Sequence, residues 1–374
     1  MRDLSHRDVV VVTGNNGLLG AGLIEALGKR GDPDADGRIE LRERVPRLVG
    51  LDQDAQPQPP PTCECILLDV TDRDSIDLAL RRVAWQYGRC IAGFVHLAAF
   101  YDFSGRPNPL YEQVTVEGTR NLLRAFRTHD FEIERFVFSS TMLVHRGCEI
   151  GERITEETDL APGWPYPESK VRTERLIREE RGDMPVTNLR IAGVYTDACD
   201  SIPLSHQIRR IHEKRLLSHL YAADPATGQA FVHRDDVASA IIAAIERRDE
   251  LPEECSYLIG EGQTFGYGEL QERLGELIHG SEAWKTLHVP APLAKAGATL
   301  QEAAGRIPGV PEPFIRPWMI DEADEHFALD VSAARRDLGW LPLHRLIDVL
   351  PAMVDALKKD PQAWYRRHGL GDAP

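Results

Sequence analysis

The sequence predicts an α/β fold in which a doubly wound parallel sheet carries helices on both faces. Three observations support this prediction. Short, nearly all-apolar segments alternate with longer amphipathic ones, four consecutive valines occupy 9–12, and a glycine-spaced turn follows them directly. Strands that are covered on both faces of a sheet are apolar throughout, and helices alternate with them along the chain.

The elements follow in order along the first half of the chain. Strands are predicted at 9–13, 47–51, 65–68, 94–97, 136–138 and 186–191. The spacing of apolar residues predicts helices at 17–29, from the cap at Thr71 onward, at 110–127 and after Pro167. The acidic stretch 31–37 and the proline-rich stretch 56–61 are predicted to be loops, the second because proline cannot enter the interior of a sheet.

Composition excludes several classes of partner. The formal net charge of −15 over 374 residues argues against nucleic acid, because a polyanion would be repelled over most of the surface. No apolar run approaches the roughly 18 residues of a membrane span, and no signal peptide precedes Val9, so we expect no membrane partner and a cytoplasmic location. The six cysteines lack zinc-site spacing, so we expect free thiols and no metal.

The glycine turn predicts a phosphate site. The first strand runs into Thr13-Gly14-Asn15-Asn16-Gly17-Leu18-Leu19-Gly20 and then into a helical pattern. Glycines let the backbone turn tightly and approach a pyrophosphate, whose charge then lies at the N-terminus of the helix. The residues predicted to bind a dinucleotide cofactor here are Gly14, Asn16, Gly17, Leu18 and Gly20.

Two aspartates end the next two strands. Asp52 can hydrogen-bond both hydroxyls of an adenosine ribose and would repel a 2′-phosphate, and no arginine follows it directly. NAD is therefore predicted over NADP, and the alternative role for Asp52 is that of a loop residue. Asp69, followed by Val70, is placed either to meet the adenine edge or to cap the helix at Thr71.

The regular alternation ends after about residue 195. Beyond it, short strands at 231–232 and 257–259 mix with helices at 237–247 and 267–277. We predict that 1–195 form a Rossmann-type NAD-binding domain to which 231–250 return. Residues 196–374 are predicted to form a smaller, mixed α/β region that binds the substrate.

A tyrosine and a lysine provide the candidate chemistry. Tyr166 and Lys170 are four residues apart and so share a helix face. A phenol, with an ordinary pKa of about 10, is too weak a base at neutral pH. We expect the Lys170 ammonium, together with the positive nicotinamide ring, to lower the pKa of Tyr166. Thr141 ends the strand segment Phe138-Ser139-Ser140-Thr141 at the sheet edge where such folds bind ligands.

These motifs together resemble the extended short-chain dehydrogenases/reductases, the NAD-dependent epimerase/dehydratase family. The resemblance extends over essentially the whole chain. Besides the motifs above, it rests on His96-Leu97-Ala98-Ala99, Val116-Glu117-Gly118-Thr119, Gly193-Val194-Tyr195, Phe231-Val232-His233-Arg234-Asp235-Asp236-Val237 and Leu338-Gly339-Trp340-Leu341-Pro342.

The resemblance implies a role for each matching residue. Tyr166 would be the acid/base, Lys170 would hold the nicotinamide ribose, and Thr141 would hydrogen-bond the reacting oxygen. Leu97, Ala98 and Ala99 would line the cofactor. A homodimer through the helices after Leu110 and after Tyr166 is expected.

Departures from the family pattern narrow the chemistry. Met142 and Leu143 stand where family dehydratases carry two acids, which argues against dehydration. The segment 227–231 lacks the arginine that many nucleotide-sugar members carry, so a UDP-sugar is in doubt. His145 is a further candidate substrate contact, and Arg234 either replaces that arginine or forms a salt bridge at the start of a helix. The apolar segment 314–319 either covers the pocket or belongs to the core.

The sequence thus predicts an NAD-dependent oxidoreductase or epimerase that oxidises a secondary alcohol of a small molecule, with a sugar or nucleotide-sugar favoured by the resemblance. The alternatives are a reductase of a non-sugar carbonyl and an NAD-binding regulator without turnover.

Overall fold

The computed structural model describes residues 3–29, 45–55, 60–280, 284–307 and 313–373. The predicted loop at 31–37 and residues 56–59 of the second predicted loop lie outside these ranges. The strands are β1 (Val9–Thr13), β2 (Arg47–Asp52), β3 (Cys63–Leu67), β4 (Cys90–Ile91), β5 (Gly93–His96), β6 (Glu132–Ile133), β7 (Phe136–Thr141), β8 (Val186–Ile191), β9 (Gly193–Tyr195), β10 (Leu220–Tyr221), β11 (Phe231–His233), β12 (Glu254–Ile259) and β13 (Leu287–His288). The α-helices are α1 (Leu18–Lys29), α2 (Arg73–Tyr87), α3 (Gly118–Thr128), α4 (Pro165–Glu180), α5 (Ile202–His212), α6 (Arg234–Glu246), α7 (Tyr267–His279), α8 (Ala291–Ala304), α9 (Pro317–Asp321), α10 (Leu346–Lys359) and α11 (Pro361–Arg367).

Seven parallel strands form the main sheet, in the order β12-β8-β7-β5-β1-β2-β3. The chain turns outward in both directions from β1, which confirms the predicted doubly wound α/β fold. Ligands bind at the carboxyl ends of the strands in such sheets, near the point where the winding reverses. The glycine turn follows β1 at this point.

Alternate residues of β1 serve two cores. Val10 and Val12 pack in one apolar cluster, with residues of α1 and α6. Val9 and Val11 pack in another, with residues of α2 and α3. Because side chains alternate across a strand, four valines in succession are explained by a sheet that is covered on both faces.

Two of the differences from the sequence prediction concern the main sheet and the helix before β6. β12 extends over 254–259 and joins the main sheet beside β8, whereas the sequence placed a short strand at 257–259 among the irregular elements. The segment predicted as one helix at 110–127 has a π-helical stretch at 111–117 before α3.

A third apolar cluster lies in the second half of the chain, where α5, α7, α10 and α11 pack together. The division at 195 stays a prediction.

None of the helices in the described residues is both long enough and apolar enough to cross a membrane.

Candidate active site

The glycine turn is a tight loop that other residues would not fit. Gly14 has φ +71°, and a Cβ on Gly20 would lie 2.3 Å from the Gly14 carbonyl oxygen. The Gly17 amide donates to that oxygen over 3.1 Å, and α1 begins at the next residue. The backbone therefore turns tightly into the helix N-terminus, with no side chain at Gly14, Gly17 or Gly20 to crowd a pyrophosphate.

Asp52 lies beside this turn. Its Oδ2 accepts a hydrogen bond from the Asn16 amide over 3.0 Å, and its Oδ1 accepts one from the Asp54 amide over 3.3 Å. The carboxylate remains partly exposed at the end of β2. It is thus held next to the phosphate cradle, where an adenosine ribose would lie.

The Asp69 side chain accepts hydrogen bonds from a residue two positions further along the chain. Its Oδ1 accepts from the Thr71 amide over 2.8 Å and from the Thr71 hydroxyl over 2.7 Å. These hydrogen bonds are of the same kind as the helix cap that was the alternative role for Asp69. The N-cap of α2 itself is Asp72, whose side chain accepts from the Asp74 amide. The neighbouring Val70 is buried.

His96 orders the strand end that carries Leu97 and Ala98. The Thr13 hydroxyl accepts from the amides of both residues, over 3.2 and 3.3 Å, so its proton goes to His96 Nδ1, 2.7 Å away. His96 Nε2–H then donates to the Thr119 hydroxyl over 2.9 Å. Burial lowers the pKa of His96 to about 3 and keeps the ring neutral. This histidine is a packed strand residue.

Tyr166 and Lys170 share one cavity with the end of β7. This cavity, called the tyrosine cavity below, has a volume of about 330 Å³. The Lys170 Nζ donates to the Ser139 carbonyl over 2.7 Å and lies 5.9 Å from the centre of the Tyr166 ring. Thr141 lines the same cavity and is buried. Leu18, Leu97 and Ala99 also line it, so the glycine turn and the predicted catalytic residues face one space.

The pKa values of the pair differ from the expectation. Burial raises the pKa of Tyr166 above that of an ordinary phenol. Burial also lowers the pKa of Lys170 to about 7, although Glu174 opposes this shift. In the protein alone, desolvation of the phenolate therefore dominates the pKa of Tyr166, and Lys170 by itself does not lower it. The lowering by Lys170 together with the nicotinamide stays a prediction.

Comparison with known proteins decides the family. The model described as "NAD dependent epimerase/dehydratase family" matches residues 10–260. The chain belongs to this family. A 3 beta-hydroxysteroid dehydrogenase/Delta 5-->4-isomerase of Mycobacterium tuberculosis is 24% identical and covers 94% of this chain and 91% of the relative. A UDP-glucose 4-epimerase of Lactobacillus helveticus is 23% identical and covers 75% of this chain and 79% of the relative.

Solved structures agree on the fold. The UDP-glucose 4-epimerase of Thermus thermophilus in complex with NAD has a TM-score of 0.65 at 20% identity, with 94% of this chain and 99% of that chain covered. MoeE5 in complex with UDP-glucose and NAD has a TM-score of 0.64 at 21% identity, with 96% and 98% covered. The extended short-chain dehydrogenase/reductase resemblance is confirmed.

As a member of this family, the protein is an NAD-dependent enzyme. Its residues fit the cofactor. A Cβ at Gly14 would lie 3.0 Å from the Ala98 amide nitrogen, so the absence of side chains keeps the cradle open. Asp52 supplies a partly exposed carboxylate at the rim.

A buried polar network behind Tyr166 escaped the sequence analysis. Ser140 Oγ donates to Glu174 Oε1 over 2.5 Å, and Arg190 Nη2 donates to Glu174 Oε2 over 2.8 Å. Arg190 Nη1 donates to His145 Nε2 over 3.0 Å. Two signals could have revealed the network: Glu174 follows Lys170 by one helical turn, and Arg190 is the one charged residue of the predicted strand 186–191.

Two predicted substrate contacts are engaged elsewhere. Both ring nitrogens of His145 are occupied, Nδ1 by the Thr158 carbonyl at 2.8 Å and Nε2 by Arg190, and the residue is buried. Arg234 donates to Asp235 over 2.9 Å and reaches Glu25 of α1 at 3.4 Å. Arg234 thus forms the alternative salt bridge at the start of α6. A substrate contact by His145 or Arg234 stays a prediction.

A second cavity adjoins the tyrosine cavity. This aromatic chamber has a volume of about 310 Å³ and shares Phe103, Leu143, Pro203 and Gln229 with the first cavity. Apolar side chains dominate its lining, among them Trp164, Phe231, Phe265, Phe314, Trp318 and Phe327. The segment 314–319, for which a pocket role and a core role were both open, contributes to its wall.

Proposed function

We propose that this enzyme oxidises a secondary alcohol carried on a mainly apolar molecule, with NAD as hydride acceptor. One observation carries the proposal: the cavity that holds Tyr166, Lys170 and Thr141 shares four lining residues with a mainly apolar chamber that is rich in aromatic rings. The hydroxyl would lie at Tyr166 and the apolar body in the chamber, where its burial contributes to binding.

Each residue has a defined task in this reaction. The Tyr166 oxygen takes the proton of the substrate hydroxyl, and Thr141 donates a hydrogen bond that orients the reacting oxygen. Lys170, held by the Ser139 carbonyl, would hydrogen-bond the nicotinamide ribose and, when charged, would stabilise the phenolate. NAD would supply the acceptor for the hydride of the carbinol carbon. The turn from Gly14 to Gly20 would hold its pyrophosphate and Asp52 its adenosine ribose.

Several features favour an apolar substrate. Gln229 lies where the chamber meets the tyrosine cavity, in the segment that lacks the arginine of many nucleotide-sugar members. The relatives include a hydroxysteroid dehydrogenase, whose substrate class is a rigid apolar alcohol. Met142 and Leu143 offer no proton-transfer group, which argues against dehydration.

A nucleotide-sugar is the second candidate substrate. It is favoured by the UDP-glucose 4-epimerase relative of Lactobacillus helveticus and would leave the ketone bound for reduction from the other face. The same residues working in reverse would reduce a non-sugar carbonyl. A regulator that binds NAD without turnover is the remaining alternative.

The test compares wild-type protein with Tyr166→Phe on sterol alcohols and UDP-sugars, following NADH absorbance. We expect turnover of a sterol alcohol by the wild type and a loss of at least about 100-fold in Tyr166→Phe, because the general base is gone. Equal rates would contradict the role of Tyr166. Turnover of UDP-sugars alone would favour the second candidate, and turnover of neither would favour the regulator.

We also propose a cytoplasmic location and a homodimer. The six cysteines form no disulfide within the described residues, which suits a reducing compartment. The dimer would form through the helices that the family resemblance indicates, the stretch 111–128 and α4.

A further inference from the structure

We propose that Arg210 receives an anionic group at the end of the substrate remote from the reacting hydroxyl. This inference rests on the proposed function and adds to it a chemical class: an alcohol that carries a carboxylate, or another anion, at its far end. The observations that carry it are the position of Arg210 in the aromatic chamber and its missing partner.

One buried hydrogen-bond donor of the Arg210 side chain lacks an acceptor. Its Nη1 is inaccessible to solvent and has no hydrogen-bond partner among the described residues. The neighbouring Arg209 is paired with Glu213 over 2.7 Å, and Arg215 is paired with the same carboxylate. A buried guanidinium nitrogen without an acceptor is unfavourable, so a ligand that supplies one gains affinity.

The side chain is also held in place. Arg210 lies on α5 and lines the chamber, where its Cζ is 5.9 Å from the centre of the Phe314 ring. His206 stacks on Phe314 at 3.7 Å, and burial together with nearby Arg210 lowers the pKa of His206 to about 4. The histidine is thus neutral at physiological pH and adds no charge to the site. A guanidinium held against an aromatic ring is preorganised for a planar carboxylate.

Arg210 is the charged residue of the chamber lining that can attract an anion. Among the described residues of its lining, Arg210 is the one basic side chain, and Glu322 and Glu325 are the acidic ones. Glu325 accepts from the Gly147 amide over 2.8 Å. Both glutamates also line a smaller cavity beside Gly163 and Arg146, so they lie at the wall between these two spaces. Neither forms an ion pair with Arg210.

The anion could come from two sources. A carboxylate on an apolar body and the diphosphate of a nucleotide-sugar both present acceptors to a guanidinium. The aromatic lining suits the first, and the experiment separates them.

The experiment measures binding, so that it does not depend on turnover. Lithocholic acid, its methyl ester and UDP-glucose are titrated into full-length protein with NAD present, by calorimetry or by quenching of tryptophan fluorescence. Wild type, Arg210→Gln and Lys214→Gln are compared. Lys214 is exposed just beyond α5 and does not line the chamber, so its substitution removes the same charge nearby.

We expect wild type to bind the acid at least about 10-fold more tightly than the ester, and Arg210→Gln to lose that preference with ester binding unchanged. Lys214→Gln should behave as wild type. Loss of UDP-glucose affinity in Arg210→Gln, with no binding of the acid, would support the anion role with a diphosphate as its source. Unchanged affinity for every probe in Arg210→Gln, or no binding of any probe by wild type, would overturn the proposal. Arg210-dependent binding without NADH formation would instead contradict the proposed function alone.

Discussion

The surroundings of Tyr166 determine the pKa of its phenol and that of the neighbouring Lys170. Burial raises the pKa of its phenol in the protein alone, and burial brings the pKa of Lys170 to about 7. A raised pKa means that the phenol is protonated, and inactive as a base, at neutral pH. Lys170 loses its charge as the pH rises, so its stabilisation of the Tyr166 phenolate weakens at alkaline pH. As the proposed base, Tyr166 would therefore depend on the positive nicotinamide as well as on the lysine.

We therefore predict that alcohol oxidation accelerates as the pH rises from about 6 to 9, because more Tyr166 becomes deprotonated. The measurement is kcat/KM for the alcohol at saturating NAD across this range. Tyr166→Phe is the control and should have no such rising limb. A wild-type profile that is flat or falls over this range would show that deprotonation of Tyr166 does not limit the reaction.

Glu174 and Arg190 form a buried ion pair whose partners depend on each other. Their side chains are 4% and 6% exposed, and Glu174 also accepts from Ser140. We predict that Glu174→Ala lowers the free energy of unfolding by about 3–5 kcal/mol, because it leaves the Arg190 charge buried without its partner. Urea unfolding measures the loss. The double variant Glu174→Ala/Arg190→Met should lose less than the sum of its single variants, and strict additivity would contradict the coupling.

At the scale of elements, the glycine turn between β1 and α1 leaves no space for a side chain at Gly20. A Cβ at Gly20 would lie 2.3 Å from the Gly14 oxygen and 2.6 Å from the Asn15 Cα, both backbone atoms that cannot rotate away. We predict that Gly20→Ala weakens NAD binding at least about 10-fold, because the turn must open to admit the methyl group. Calorimetric titration with NAD measures the effect.

The matched control is Gly297→Ala in α8, where a Cβ would meet nothing within 4 Å. That change should leave NAD affinity unaltered and stabilise the helix by about 0.5–1 kcal/mol. Similar NAD affinity in Gly20→Ala and wild type would show that the turn tolerates the methyl group and is not shaped by glycine at that position.

The elements also show what sequence patterns can and cannot predict. β1, α1 and the pair Tyr166 and Lys170 were predictable because each depends on local spacing. β12 was placed outside the sheet because its pairing with β8, more than sixty positions earlier, leaves no local pattern. The same limit hid the contacts of Arg190 with Glu174 and His145, which join three separate elements.

At the scale of the whole molecule, the site lies where the two halves of the chain meet. The first half supplies the glycine turn, Thr141, Tyr166 and Lys170, and the second supplies α5 and the segment 313–327 that wall the aromatic chamber. The residues of the proposed proton transfer are thus distinct from those of the chamber wall, which we propose select the substrate. Substitutions in the chamber should change which alcohol binds with little effect on the proton transfer at Tyr166.

The homodimer also belongs to this scale. The exposed residues of 111–128 and of α4 are all polar: Glu112, Gln113, Arg124, Arg127, Thr128, Glu168, Arg172, Arg175, Arg178 and Glu179. Stable dimer interfaces of the obligate kind have an apolar centre. A dimer through this face would therefore depend on charge pairs between subunits, such as an arginine of one α4 with a glutamate of the other subunit.

We predict that such a dimer dissociates as salt is raised, because the Debye length falls from about 10 Å at 0.1 M to about 3 Å at 1 M. Sedimentation velocity at both salt concentrations measures the association. Arg172→Glu should weaken it further at low salt, and Lys359→Glu, an exposed charge reversal on α10, should not. A dimer that persists at 1 M salt and in Arg172→Glu would place the interface elsewhere, since neither screening nor reversal of charge on this face would have touched the contacts that hold it.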